Sequence, residues 1–514
     1  MFLFPIISYA EIHYKLPFMK PRYYFDHPEI ISDLPRRIIK KKNSCLPILF
    51  IVKDADRFPV TVHFADVTIK SDDGVFNIKK EISQYIEAPY FSQISKIDIS
   101  KLTTRQHIDV TVSITYEIRG KLYTVVNDNY RQSLVTSFRC YIANSPLPYP
   151  EDWYAGDPHY HSNYTSDQVE FGADIASTKE MAIAMGLSWF FVTDHSYDLD
   201  DMENDYLSMD KEIGKWTAMR KEAEENDSPD CRIIFGEELS VGNRSNRNIH
   251  LLIIGNETFI HGSGDSAEKW FRNKPEHTLS ELEIEDKALA IAAHPVERIP
   301  LLQRLTLRRG NWHEEDYITV GTRFLQLINR DNARQLPRLI RYWRHLLLKG
   351  HRYFIIAGND AHGNFNIMRQ IKIPFVKLFA NREQVFGNFF TIYRYDNNDP
   401  IAGLKNGEIV VSNGPFLQFW LNHKGREYRI GSTIYADQAE LDLEAYTSSE
   451  WGDIEKIKLH IGHIETAKEE SITLCRRKMI NLPKMGYLRM SMQTKNTGVV
   501  FTNPIWVNLS PESE

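Results

Sequence analysis

Leu187-Ser188-Trp189-Phe190-Phe191-Val192-Thr193-Asp194-His195 is an apolar run that ends on a polar triplet. A short apolar run of this kind is the pattern of a strand buried on both faces. It follows Ala173 to Met185, a stretch with helical periodicity. The same motif recurs outward along the chain. Arg232-Ile233-Ile234-Phe235 precedes Gly236-Glu237-Glu238, and Ile249-His250-Leu251-Leu252-Ile253-Ile254 carries a histidine inside its run. Leu289-Ala290-Ile291-Ala292 precedes Ala293-His294-Pro295, Phe324-Leu325-Gln326-Leu327-Ile328 precedes Asn329, and Tyr353-Phe354-Ile355-Ile356 precedes Asn359-Asp360-Ala361-His362. Helical stretches at Tyr206 to Glu225 and Ala333 to Lys349 separate some of these runs. Alternation of strand and helix predicts a mostly parallel sheet with crossover helices over residues 151–415. Closed on itself, such a sheet is a TIM-like barrel, with functional residues gathered at the C-terminal ends of the strands.

On either side the pattern is β. In residues 1–150, Cys45 to Val52 reads as a strand, and Val60 to Phe64 and Ile108 to Val112 alternate with a period of two. Ser71-Asp72-Asp73-Gly74 is a turn signal, and Asn144 to Pro150, with three prolines, reads as a linker. Residues 416–514 alternate again at Leu417 to Leu421, Leu441 to Ala445 and Ile457 to Ile461. A β-sandwich-like domain is expected at each end of the chain.

Composition sets the outer bounds. A chain of 514 residues is too long for one core, and about three domains are expected. The net charge of -6 argues against a strongly electrostatic nucleic-acid binder. Cys45, Cys140, Cys231 and Cys475 have neither disulfide-framework nor zinc-knuckle spacing, which fits a reducing compartment. The apolar start, Met1 to Ile7, lacks a basic segment and is interrupted by Glu11 and His13, so a strand or an unstructured start is expected rather than a signal peptide. No stretch approaches the ~18 apolar residues of a membrane span. A cytoplasmic location is expected, with secretion the alternative.

The polar residues that end the apolar runs are of one chemical type. Asp157-Pro158-His159-Tyr160-His161-Ser162 opens the series, and Asp167, His195, Glu238, His250, His294, Asp360 and His362 continue it. Imidazole and carboxylate are the side chains that bind divalent metals at neutral pH. His159 and His161 in an extended segment project to one side, as do Asp360 and His362. Glu238 has two oxygens with which to bridge two ions. Singly, each has an ordinary reading: a surface strand feature, a helix cap, a core histidine, a loop residue or a turn. Together they are enough for two or three metals, where a metal-bound hydroxide would attack an ester and the ions would stabilise the charge that develops.

The ordered set His159-x-His161-Ser162, Asp167, Thr193-Asp194-His195, Gly236-x-Glu238, His250, Ala293-His294-Pro295 and Asp360-x-His362 resembles the PHP (polymerase and histidinol phosphatase) superfamily over residues 151–415. Trp153-Tyr154-Ala155-Gly156-Asp157 and Gly407 to Pro415 further resemble its CehA/McbA-type metallohydrolases, a group associated with carbaryl hydrolysis. The resemblance implies a distorted (β/α)7 barrel with two or three Zn, Mn or Fe ions that hydrolyses phosphoesters. Its nine ligand positions would be His159, His161, Asp167, His195, Glu238, His250, His294, Asp360 and His362. Asp194 would lie behind the ligands and orient His195 or another of them. Gln326 stands where that family often has an acidic residue, and it is given no metal role. Arg244, Arg247, Arg298 and Arg330 are candidates to hold a substrate phosphate or carboxylate.

The expected substrate is a small phosphoester. A carboxylic or carbamic ester is the alternative, since the ligand set does not separate the two. A non-catalytic protein whose β-domains bind glycan or protein is a rival of another class. A nuclease or polymerase-editing role fits the charge balance least.

Overall fold

The computed structural model describes residues 27–40, 44–129, 136–165, 172–202, 205–262, 264, 273–331, 333–372, 377–474 and 478–509. Asp167 and Cys475 lie outside the described residues, as does the apolar start Met1 to Ile7.

The molecule is built mainly of strands, 33 of them against seven α-helices among the described residues. The first part forms two sheets. Three antiparallel strands, Glu29–Asp33, Cys45–Lys53 and Tyr90–Asp98, make one. Gln106–Ile118 lies at the heart of the other, flanked by Val60–Ser71, Phe138–Ala143 and Lys121–Val126. Its alternate residues Ile108, Val110, Val112, Ile114, Tyr116 and Ile118 are buried, as the period of two predicts. They share a core with Leu46, Ile48 and Phe50 of the smaller sheet.

The centre of the molecule departs from the sequence expectation. Residues 151–415 do not form the expected distorted TIM-like (β/α)7 barrel. Most of their strands lie in a 16-stranded mixed sheet, in the order Phe354–Ala357, Phe324–Ile328, Leu289–Ala292, Asn248–Ile254, Arg232–Gly242, Trp189–Val192, Trp153–His161. From there the sheet runs through Phe390–Arg394 and Ile409–Ser412 into Val499–Thr502, Gly486–Thr494 and Ile454–His463. One sheet thus continues across position 415. Asn248–Ile254 is antiparallel to both its neighbours. The reason is local: only residues 243–247 separate it from Arg232–Gly242, enough for a hairpin and too few for a helical crossover. Asn243 closes that hairpin, its Oδ1 accepting from the backbone N–H groups of Ser245 and Arg247. Apolar runs suggest parallel strands, but a strand covered on both faces reads the same whichever way its neighbours point.

Helices form where caps and an apolar face coincide. Ile175–Met185 starts at Asp174, whose carboxylate accepts from Ser177 N at 2.8 Å, and ends at Gly186 in the left-handed region. Leu336–Leu348 buries Leu336, Leu339, Trp343, Leu346 and Leu347 at helical spacing. The helix expected over Tyr206 to Glu225 is shorter. Asp205–Met209 is a strand, and the helix spans Gly214–Asn226, burying Trp216, Met219 and Ala223. No helix among the described residues is long and apolar enough to cross a membrane.

Two features aim the central strands at one point. Trp153–His161 pairs in parallel with both Trp189–Val192 and Ala361–His362, in a register that sets His161 beside His362. Gly156 in that strand lies against Trp189, so close that a Cβ would stand 2.1 Å from the Trp189 carbonyl oxygen. Only glycine permits this approach.

Candidate metal centre

His159 and His161 leave their strand on the same side, with their Nε2 atoms 3.1 Å apart. The left-handed turn at Asp360 (φ 50°) brings its carboxylate to the same place. Asp360 Oδ1 lies 3.3 Å from His159 Nε2 and 3.1 Å from His161 Nε2. The bridge between His195 and Glu238 delivers a second carboxylate. Glu238 Oε2 is 2.9 Å from His195 Nδ1 and 3.4 Å from both His159 Nε2 and His161 Nε2. Its other oxygen lies 2.6 Å from His250 Nδ1 and 3.0 Å from His294 Nε2. Ser240 stands opposite His250 in the hairpin, so Glu238 is its diagonal neighbour on the same face. His294, with φ 29°, is a second non-glycine residue in the left-handed region. The ring of His362 stacks on that of His161, centroids 4.1 Å apart.

The structure therefore brings together eight of the nine sequence-predicted ligands; Asp167 lies outside the described residues. Three overlapping groups have ligand atoms within 4.8 Å of one another: His161, His195 and His362; His159, His161, Glu238 and Asp360; and His195, Glu238 and His250. All are buried.

The histidines are oriented from behind. His159 Nδ1 donates to Gln326 Oε1 at 2.8 Å, which leaves the Nε2 lone pair facing inward. His161 Nδ1 is 3.3 Å from Thr165 Oγ1, and His362 Nδ1 is 3.3 Å from the Asp360 carbonyl. Fixing one ring nitrogen so that the other can ligate is how proteins hold metal-binding imidazoles. Gln326 Nε2 also donates to Asn329 Oδ1, and Asn329 Nδ2 donates to Asp360 Oδ2 at 3.3 Å. Gln384 Nε2 donates to the same oxygen at 3.1 Å. Gln326 thus joins two ligand candidates without being one. Replacing it with leucine should weaken metal affinity about 10–100-fold while the fold persists, as read by titration with a competing chelator; unchanged affinity would show that the His159 tautomer does not depend on it.

Asp194 was expected to orient His195 or another ligand. It acts on the turn beside His161, accepting from Ser162 N and Thr165 N at 2.8 Å and from Ser162 Oγ at 2.7 Å. Thr165, held this way, is the residue that faces His161 Nδ1. Asp157 plays a similar part on the other side. It accepts from the backbone N–H groups of His159, Asn359 and Gly387 and from Asn359 Nδ2, and burial pushes its carboxyl up to about 6. Glu237 faces away from the cluster and accepts from Ile260 N.

Electrostatics favour a neutral His161 beside ionised carboxylates, while the same carboxylates draw a positive charge towards His159. Burial, with His362 and His195 alongside, lowers the pKa of His161 to about 4. Burial alone would raise Glu238 and Asp360, yet the surrounding histidines hold both well below the ordinary carboxylate range. Burial also opposes a charge on His159, but Glu238 and Asp360 outweigh it and raise its pKa. Metal ligation needs deprotonated donors, the form favoured for His161, Glu238 and Asp360, and a cation would take the place of the proton on His159.

The residues present fit a metal cluster. Two imidazole nitrogens 3.1 Å apart repel unless a proton or cation lies between them, and the same space is faced by two carboxylate oxygens. The donor set of nitrogen and oxygen suits zinc, manganese or iron.

The arginine candidates divide. Arg244 pairs with Glu315 at the surface, and Arg247 donates to the Arg304 carbonyl, so both guanidinium groups are directed elsewhere along the hairpin. Neither lines the clefts beside the cluster. Arg298 and Arg330 do line one, and Arg330 pairs with Glu297 at 2.8 Å. The sequence reading missed Arg309, which is buried and donates to His250 Nε2 at 2.5 Å. It sits in the stretch between Thr306 and Trp312, which has no periodicity to mark it.

No protein-family model matches the chain, and no curated protein does. Among solved structures, it is similar to Parabacteroides merdae β-glucuronidase at 10% identity and a TM-score of 0.21, covering 96% of this chain and 66% of that one. A glycosyl hydrolase family 2 member from Bacteroides cellulosilyticus is similar at 7% identity and a TM-score of 0.18, covering 96% and 64%. The chain spans just under two thirds of these proteins' lengths. Likeness at this level decides neither fold nor activity. The barrel which the PHP resemblance implied is not the fold found.

Proposed function

We propose that the chain is a metal-dependent hydrolase that acts on phosphoesters. One observation carries the reading: a single buried carboxylate, Glu238, lies within 3.4 Å of five imidazole rings, from His159, His161, His195, His250 and His294. A scaffold has no use for this arrangement, because burying so many titratable groups is unfavourable unless a ligand repays it. The order of these residues along the chain supports the PHP-like metal set; the barrel is no part of the proposal.

His159, His161, His195, Glu238, His250, Asp360 and His362 would hold two or more ions, with His294 completing the set. Divalent ions bound there would make water nucleophilic near neutral pH and stabilise charge on the leaving oxygen. The protein's own contribution is positional. Gln326, Thr165 and the Asp360 carbonyl keep the ring protons of His159, His161 and His362 on Nδ1. The strands bury the cluster, and on the His294 side His250, His294, Glu297, Arg309 and Trp312 line a cleft. The arginines beside that opening favour phosphate over a neutral carboxylic or carbamic ester.

Elemental analysis of the purified protein, paired with nitrophenyl phosphate and nitrophenyl acetate assays with added Mn or Zn, tests this. Two or more ions per chain with phosphate-ester turnover is the expected result. Turnover of the acetate alone would move the assignment to carboxylic esters, and no metal with no activity would leave a binding protein.

A further inference from the structure

Beside the metal centre lies a cavity of about 350 Å³ whose wall is dominated by arginine. Arg298, Arg330, Arg334 and Arg338 line it, with Glu297 and Gln335. Among the described lining residues four guanidinium groups stand beside one carboxylate, a wall suited to an anion. Like charges gathered this closely repel, and burial together with Arg298 lowers the pKa of Arg338. Two partners fix the geometry. Arg330 pairs with Glu297 at 2.8 Å, and Arg338 donates to the Val296 carbonyl. Arg334 and Gln335 lead into Leu336–Leu348, a 13-residue helix, so the positive end of its dipole adds to the same field. Guanidinium forks are shaped to grip phosphate through paired hydrogen bonds.

The cavity is joined to the metal centre through named residues. Glu297, which lines both clefts, lies 3.5 Å from His294 Nδ1. Arg330 directly follows Asn329, which donates to Asp360. A volume of about 350 Å³ suits part of a small molecule and not a polymer groove.

We propose that Arg298, Arg330, Arg334 and Arg338 form a second oxyanion subsite, which holds a phosphoryl group of the substrate other than the one that reacts. Its role in substrate recognition rests on the hydrolase reading above, while its affinity for phosphate does not. The substrate class that follows is a small molecule with two phosphoryl groups, one at the metals and one among the arginines.

Calorimetry on protein stripped of metal and dialysed free of chelator tests the subsite without any activity. Pyrophosphate should bind the wild-type chain, and Arg334→Ser/Arg338→Ser should bind it about 10-fold or more weakly. Arg334 is exposed, so Arg334→Ser alone serves if the double variant misfolds, and it should show part of the loss. Equal affinity in wild type and variants overturns the proposal, as does a preference for malonate over pyrophosphate. With metal restored, the wild type should favour a bisphosphorylated over a monophosphorylated substrate in kcat/KM, and the double variant should lose about 10-fold of that preference. Pyrophosphate binding that depends on the arginines, in a protein that hydrolyses nothing, would support the subsite while removing the hydrolase reading.

Discussion

Glu238→Gln is expected to cost the protein at least one metal ion per chain and to lower hydrolysis by about 100-fold or more. Glu238 places one oxygen 2.9 Å from His195 and 3.4 Å from His159 and His161, and the other 2.6 Å from His250 and 3.0 Å from His294. Glutamine keeps the size but replaces one of those oxygens with an N–H₂ donor, which cannot ligate a cation. The negative charge that balances the ions also goes. A thermal measurement separates this from damage to the fold. Wild-type protein stripped of metal and returned to Zn or Mn at 100 times the Kd should gain about 2.7 kcal/mol. Glu238→Gln should start from a folded state of similar secondary structure and gain much less. Full metal content in the variant, with full activity, would show that Glu238 does not bridge the site and would remove the reading built on it.

The site was far more legible in the sequence than the fold around it, for a physical reason. Metal-type side chains at the ends of apolar runs stand out residue by residue, because burying a histidine or carboxylate is costly and needs a cause. His159, His195, Glu238 and Asp360 could be picked out without knowing how their strands paired. Strand direction has no such mark. The run at Asn248–Ile254 looks like its neighbours in composition, and only the five-residue gap before it betrays an antiparallel hairpin. The expected helix over Tyr206 to Glu225 shows another limit, since polar and aromatic residues around Asp205–Met209 fit either state. Gln326, Gln384 and Arg309 were illegible for a third reason. They act through contacts with residues far away in the chain, Gln384 with Asp360 and Arg309 with His250, and no local pattern announces such a partner. Gln326 departs from the ligand pattern of the resemblance, yet it is the residue that fixes the His159 ring.

The other large effect concerns stability, and it lies away from the candidate metal site. Arg37→Met is expected to destabilise the protein by about 3–5 kcal/mol. Arg37 is buried, and its Nε donates to Glu450 Oε2 at 2.8 Å. Its Nη atoms donate to the carbonyls of Met185 and Ser145 at 3.1 and 2.8 Å. One side chain thus ties the Arg37–Ile39 strand to the end of the Ile175–Met185 helix, to the proline-rich linker and to the turn beside Trp451. Methionine fills much of the volume but leaves Glu450 without its cation, in a place where burial already raises its pKa against the pull of Arg37. Removing one partner of such a pair costs more than removing both, because the charge left behind has lost its water as well as its counter-ion. Arg37→Met/Glu450→Gln should therefore recover part of the loss, and the shortfall from additivity measures the coupling. Urea unfolding followed by circular dichroism gives both numbers. A single-variant cost under about 1 kcal/mol would place the pair among solvated contacts. The junction would then be held by its apolar neighbours, Leu147, Met185 and Trp451, which share one core with Phe416 and Leu459.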